Sequence, residues 1–340
     1  MKLRRTLLGM LLGSAMLALP FVAGAQTVKW KLGSQQGPKD VATTKMVELA
    51  KSVLEASNGR FNIEVVTIDT LGYKQADALR MLKQKAIDAV VISPYYMGRD
   101  EPLLSNLLPF NAIVEESDNW KVAKIQSEIA REIYEKKWDM VLAAPFFAGG
   151  VKEMILISKE PINTLAQLKG KKFRHWDKVA MDGMRKLGLS VQTIPSPDLY
   201  LAMKTGVVDA SMYGRTYVLS QSLDEVTKFY SVVGPFVVAA PTSLVVRKDI
   251  WTALPDDLKK ILQTEAAKLY EGERQAFIEG KEEKDLAARM KAKGMTEVAP
   301  FSMEDRRTIQ KAVLEAWREN SEKAGAEAIK NHDRIVEALK

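Results

Sequence analysis

The chain has 340 residues, no cysteine, two histidines and a formal net charge of +7. Without cysteine there are no disulfides, no thiol catalysis, no Cys-ligated metal and no bacterial lipid anchor, and His175 and His332 lie too far apart in sequence to suggest a His-rich metal site. Lys, Glu and Asp interleave as on solvated faces, and no basic block carries aromatics, so no nucleic-acid partner is expected.

Residues 1–25 read as a secretory signal peptide. Lys2, Arg4 and Arg5 precede the uncharged run TLLGMLLGSAMLALPFVAGA, which ends in the small-x-small cleavage signal Ala23-Gly24-Ala25. A membrane anchor is the competing reading, since the run is about long enough to span a bilayer. Its glycines, Pro20 and the cleavage signal favour removal after Ala25 and a soluble protein in the periplasm. Three positive charges leave with the peptide, so the mature chain carries +4. About 315 residues remain, more than one core usually holds, and two lobes are expected.

The mature chain opens with VKWKLGS, which alternates as a strand does. A helix follows over roughly 39–57, with Val41, Met46, Leu49, Val53 and Leu54 on one face. FNIEVVTI is a strand, a helix carries Ala78, Leu79, Met81 and Leu82, and AIDAVVIS is a buried strand ending at Pro94-Tyr95-Tyr96. This βαβαβ order implies a largely parallel sheet covered by helices. A helix spans about 118–137, MVLAAPFF is a strand leading to Gly149-Gly150, and MILIS is another. NTLAQLKG is a short helix closed by Gly170, KKFRHW is a strand, and a helix covers about 177–187. SVQTIP, the helix PDLYLAMKTG and the strand VVDASMY complete a second α/β unit, with Met181, Met184 and Met203 in its core. KFYSVV and SLVVRKD are strands that return the chain toward the first unit. From Asp256 to about Lys293 one long amphipathic helix is expected, weakened but not ended by Gly272 and Gly280. Charged helices run on to Lys340.

In open parallel sheets, ligands bind beyond the carboxyl ends of the strands. Those ends carry Ser34-Gln35, Leu71-Gly72-Tyr73, Ser93 to Tyr96, Arg174 to Asp177, Pro195-Ser196 and Tyr213-Gly214-Arg215. They are rich in aromatics, include two arginines and hold few carboxylates, which suits an organic anion with a flat or apolar body. Arg174 can fork onto a carboxylate with two parallel N–H bonds and lies just ahead of a predicted helix N-terminus. The equal alternative is a salt bridge to Asp177 or Asp209. Trp176 is either a stacking wall or hinge packing, and Arg215 is either a ligand contact or an interlobe ion pair. Tyr95 and Tyr96 point opposite ways on an extended segment, so at most one faces a cleft. Ser34 and Ser93 are candidate hydroxyl donors, and Asp177 is a candidate N-cap. His175 and Asp177 could form a base and its orienter. No nucleophile elbow, His-Glu-x-x-His or Walker A motif accompanies them, so neither catalysis nor a metal or other cofactor is expected.

Several segments carry a family resemblance: TLGYKQADALRMLKQKAIDAVVIS, LPF at 108–110, EPINTLAQLKGKKFR, LYLAMKTGVVDAS and WTALPDDLKKIL. In this order, behind a signal peptide, the chain resembles the solute-binding subunits of tripartite ATP-independent periplasmic (TRAP) transporters, of the dicarboxylate-binding type. The resemblance implies an α/β, two-lobe periplasmic binding protein (type II-like) with crossing hinge strands and a long lobe-spanning helix. Lobe I would comprise 26–149 plus 236–275, and lobe II 150–235 plus 276–340. It implies capture of a small organic carboxylate by hinge closure and delivery to TRAP-type membrane permease subunits. A periplasmic receptor for a different importer or a sensor kinase is the alternative, and a monomer is expected. The family's key arginine closes a Gly-Lys-Lys-x-Arg stretch, which maps to Arg174 and favours the carboxylate clamp. A second basic position maps to Lys152 in GGVKEM, and Tyr96 matches a ligand-facing position. The chain departs from the family at His175-Trp176, where Val-Pro is common. It departs again over Ala210 to Arg215, where many members have Gly-x-Glu-Asn-Pro after the Val-Asp pair. Tyr213 thus takes the place of the asparagine, and Arg215 is added nearby. These aromatics imply a wider, flatter or more apolar acid than the usual sugar acid or dicarboxylate.

Overall fold

The computed structural model describes residues 27–116, 118–147, 152–235 and 242–340; the expected signal peptide and the Gly149-Gly150 turn lie outside them. The first half contains β1 (Val28–Ser34), α1 (Val41–Ala56), β2 (Phe61–Thr67), α2 (Ala78–Lys83), β3 (Ala89–Ile92), α3 (Pro102–Ser105), α4 (Asp118–Trp138) and β4 (Met140–Pro145). The second contains β5 (Glu153–Ser158), α5 (Leu165–Leu168), β6 (Lys172–His175), α6 (Lys178–Lys186), β7 (Ser190–Thr193), α7 (Leu199–Thr205), β8 (Ala210–Gly214), α8 (Arg215–Ser220) and β9 (Phe229–Pro235). Then come β10 (Ser243–Arg247), α9 (Lys248–Ala253), α10 (Asp256–Glu279), α11 (Lys281–Ala292), β11 (Thr296–Glu297), α12 (Met303–Ala324) and α13 (Ala326–Leu339).

The strands form two sheets, ordered β2-β1-β3-β10-β4 and β11-β9-β5-β8-β6-β7. The chain leaves the first sheet after β4, enters the second as β5, and returns from β9 to β10. The parallel arrangement expected from the βαβαβ order holds for β2-β1-β3 and for β7-β6-β8. The arriving strands run against their neighbours instead. The first residue of β10, Ser243, pairs with the last of β3, Ile92, and Met154 near the start of β5 pairs with Gly214 at the end of β8. Each crossing therefore enters where the parallel strands finish, and the carboxyl ends of both sheets are brought toward the crossings. This is where α/β folds bind ligands.

The α1 face read from the sequence buries Met46, Leu49 and Val53 against Trp30, Leu32 and Phe61, while Leu54 is 37% exposed. Each such large apolar side chain contributes about 1.5–3 kcal/mol by leaving water. Met181, Met184 and Met203 are buried as expected. The α6 and α12 helices cross at Gly183, where a Cβ would sit 2.6 Å from the Val313 Cα. Any side chain there would force the helices apart. The single helix expected from 256 to 293 is two helices. Gly280 takes φ +63, donating its N–H to the Ala276 and Phe277 carbonyls. That left-handed conformation suits glycine and ends a helix instead of merely weakening it. The break divides the labour: α10 packs on α1 and β4 of the first sheet, and α11 on α8 and β11 of the second. At the C-terminus, α12 packs on α6 and α13 on α4. Among the described residues no helix is long and apolar enough to cross a membrane.

Candidate ligand-binding site

The site is built from the alternation of two neighbouring strands. β6 and β8 are parallel, with Phe173 opposite Ala210 and Arg174 opposite Ser211. Residues two apart share a face, so Arg174 and Trp176 stand beside Ser211 and Tyr213. Arg174 is fully buried. Its Nε donates to the Ile194 carbonyl at 2.9 Å, but neither Nη1 nor Nη2 has a hydrogen-bond partner among the described residues. The guanidinium carbon lies 5.0 Å from the Trp176 ring centroid and 5.0 Å from that of Tyr213. The rings offset part of the cost of burying the cation. The two terminal nitrogens, four N–H donors in one plane, keep the fork geometry that matches a carboxylate.

The salt-bridge alternatives for Arg174 are occupied otherwise. The Asp177 carboxylate caps α6, accepting from Val179 N at 2.9 Å and Ala180 N at 3.3 Å, and accepts from Phe110 N at 2.6 Å. Asp209 accepts from Lys172 N at 2.9 Å. Burial pushes Asp177 up to about 7 despite its N–H donors.

His175 does not act with Asp177 as a base and its orienter. Its Nδ1 accepts from the backbone N–H groups of Trp176 and Asp177, both at 3.0 Å, which leaves the proton on Nε2. Burial, with the neighbouring Arg174 charge, pulls its pKa down to about 3. The neutral ring stacks on Trp176 with centroids 4.6 Å apart and 13° between planes. Trp176 also meets Phe110 and Tyr213 edge-on, at 4.8 Å and 5.7 Å. His175 is thus a buttress that holds the indole against the guanidinium.

Tyr213 leads to a polar network. Its hydroxyl bonds Ser196 Oγ and accepts from Gln221 Nε2 at 2.8 Å. Gln221 Nε2 also reaches Ser196 Oγ at 3.0 Å and Asp40 Oδ2 at 3.2 Å. Asp40 is the N-cap of α1 and joins this network from the first half of the chain. Tyr96 is half-buried and feels both Arg174 and Asp40; burial raises its pKa. Tyr95 faces the other way, donating to Leu108 O at 2.9 Å inside the core. Residues 94–99 form a 3-10 helix and not the extended segment expected, so the helical turn, not strand alternation, separates the pair and leaves Tyr96 near the arginine.

Other expected contacts lie elsewhere. Arg215 is buried but ion-paired: Nη1 bonds Glu283 and, at 2.5 Å, Glu153, with Glu297 3.6 Å from Nη2. It lies over the Tyr230 ring at 5.4 Å. An ion pair is one of the two readings of Arg215, but the one found is not interlobe: Glu153, Glu283 and Glu297 all belong to the second sheet or the helix packed on it. Lys152 Nζ pairs with Glu116 at 3.0 Å and sits 5.7 Å from the Phe277 ring centroid, so its charge is matched by protein. The Ser34 hydroxyl is held by Thr43 Oγ1 at 2.7 Å and by Gln36 N at 3.1 Å. Ser93 is half-buried and gives its backbone N–H to Gln35 Oε1 at 2.7 Å. Sequence reasoning did not single out Asp40, Gln221 or Tyr217, whose ring is 5.1 Å from that of Tyr213. Asp40 follows the carboxyl end of β1, so the strand-end rule could have found it. Gln221 carried no such signal.

Residues 32–324 match the model of the bacterial extracellular solute-binding proteins, family 7. The chain is similar to the monocarboxylate 2-oxoacid-binding periplasmic protein of Nostoc sp., 26% identical over 311 residues, covering 89% of this chain and 82% of that protein. It is also similar to the C4-dicarboxylate-binding periplasmic protein of Rhodobacter capsulatus, 26% identical over 339 residues, covering 96% and 97%. Among solved structures, a Bordetella pertussis extracytoplasmic solute receptor binding pyroglutamic acid matches with TM-score 0.75 at 20% identity, over 92% of this chain and 99% of that one. A TRAP periplasmic solute-binding protein from Rhodoferax ferrireducens with bound malonate matches with TM-score 0.75 at 24% identity, over 91% and 98%. These likenesses show the two-lobe periplasmic binding fold.

Proposed function

Because the chain belongs to the bacterial extracellular solute-binding proteins of family 7, we propose that it captures a small organic carboxylate outside the cytoplasm and delivers it to a TRAP-type membrane permease. Residues 1–25 direct export to the periplasm and are cleaved after Ala25. The mature protein acts as a monomer whose lobes, 26–149 plus 236–275 and 150–235 plus 276–340, close on the solute by hinge bending. Arg174 takes the carboxylate on its two free nitrogens. Trp176 and Tyr213, which flank the guanidinium, cover the solute's body, and Tyr96 closes one side. The protein binds and releases its solute without transforming it.

The observation that carries this reading is the buried Arg174 guanidinium with both terminal nitrogens unpartnered between two aromatic rings. The 2-oxoacid, C4-dicarboxylate, pyroglutamic acid and malonate named for the relatives all offer a carboxylate to such a fork. A thermal-shift screen of organic acids identifies ligands, since a molecule that binds only the folded state raises the melting temperature. Calorimetry then compares wild type with Arg174→Ala. A loss of about 2–5 kcal/mol is expected, the range for truncating one side of a desolvated charge pair. Unchanged affinity would remove the clamp.

A further inference from the structure

Three basic side chains were candidates to meet an anion here, and two are neutralised by protein. Arg215 is held by Glu153 and Glu283, and Lys152 by Glu116. Among these three, Arg174 alone offers two unpartnered terminal nitrogens. A carboxylate closes the other end of the same network. Asp40 is 3% exposed, and no lysine or arginine pairs with it among the described residues. Its Oδ1 accepts from Ala42 N at 2.9 Å and its Oδ2 from Gln221 Nε2 at 3.2 Å. Gln221 in turn reaches the hydroxyl of Tyr213, whose ring flanks Arg174.

We propose that Asp40 is a specificity residue: it admits monocarboxylates that carry a hydrogen-bond donor at the far end, and it turns dicarboxylates away. The proposal rests on the reading of Arg174 as the carboxylate clamp and adds the identity of the opposite pole. An ionised carboxylate has about four acceptor positions, and protein donors reach Asp40 at two. An amide, hydroxyl or ammonium on the solute can use the remainder. A second solute carboxylate brings like charge to a desolvated acid with no cation beside it, which is a strong means of rejection. Burial lifts Asp40 only to about 6, so it is charged at neutral pH. Burial pushes the phenols around it, Tyr96, Tyr213 and Tyr217, upward, and they stay neutral there.

The test uses pairs equal in length and shape: malonate and malonamate, succinate and succinamate, glutarate and glutaramate. Titration calorimetry at pH 7.5 is run on wild type, Asp40→Asn and Arg174→Met. Asparagine caps a helix as well as aspartate does, and Gln221 can turn its amide to meet it, so the fold is retained. The wild type is expected to prefer the amide at least tenfold in the best-fitting pair. Asp40→Asn is expected to shrink that ratio at least tenfold by admitting the dicarboxylate. Arg174→Met is expected to abolish binding of both members. If binding survives Arg174→Met, the clamp itself falls. If binding needs Arg174 but the wild type prefers the dicarboxylate, or Asp40→Asn leaves the ratio unchanged, the clamp stands and the selector falls. Failure of all three amides to bind also overturns the selector.

Discussion

Arg174 and Arg215 stand on the same sheet, one on β6 and the other just after β8, and both are buried, at 0% and 3% exposure. They differ in their company. Arg215 has three carboxylates within 4 Å. Arg174 has two aromatic rings, one backbone carbonyl and two nitrogens without partners among the described residues. Burial therefore does not tell a structural arginine from a ligand-seeking one; the set of partners does. Arg215 commits its charge to the fold, whereas Arg174 leaves two terminal nitrogens for the proposed carboxylate.

That contrast is broken most directly at Arg215. Arg215→Met leaves Glu283 buried without its cation, and stability is expected to fall by about 3–5 kcal/mol in urea unfolding. Solute affinity of the folded fraction should be unchanged; a protein that stays stable but loses its ligand would reverse the two assignments. Arg174→Met should do the opposite. Affinity falls by about 2–5 kcal/mol, while the urea midpoint does not fall, because no protein ion pair is lost.

A third measurement sharpens the comparison through the acids. Glu283 has an arginine and Asp40 has none among the described residues, so Asp40→Asn removes a buried charge that no ion pair there offsets. Burial raises Asp40 to about 6 in the folded protein, from an ordinary value of 3.8. Its stabilising proton is therefore fully present below about 4 and lost as pH rises through 6. Relative to wild type, Asp40→Asn should gain stability over that window, by up to roughly 3 kcal/mol, since each tenfold change in proton affinity is worth about 1.4 kcal/mol. His175 has the opposite sign, since its folded pKa is depressed to about 3 and its contribution is lost as pH falls below about 6.5. It is common to both proteins and cancels in the difference. A stability difference that is flat between pH 4 and 6 would show that Asp40 is solvated. The smallest effect is expected at Tyr213→Phe. It deletes the hydroxyl that joins Ser196 and Gln221 and should cost about 0.5–1.5 kcal/mol of stability. It keeps the ring over Arg174, so monocarboxylate affinity should change little.

The frame of the fold is legible in the sequence because it follows local rules: periodicity marks the strands and helices, and the two returning strands announce the crossings. The parallel expectation fails only at β5 and β10, whose direction depends on where they enter a sheet. Helix propensity makes Gly280 a weak point and no more, because propensity alone does not reveal a left-handed backbone. At the site, a motif points to Arg174, and strand alternation places Trp176 on its face. The fate of Arg215 is not readable in this way, since Glu283 lies 68 residues away in sequence. Asp40 and Gln221, 181 residues apart, meet only once both sheets are assembled.

The indole of Trp176 has one further consequence. It lies 5.0 Å from a guanidinium that no carboxylate among the described residues pairs with, and is held in place by a stacked imidazole. Light emission from an indole responds to the electric field across its ring. An anion seated on Arg174 would cancel much of that field, so fluorescence of the unlabelled protein is expected to report occupancy, with Trp176→Phe isolating this chromophore from the other five tryptophans.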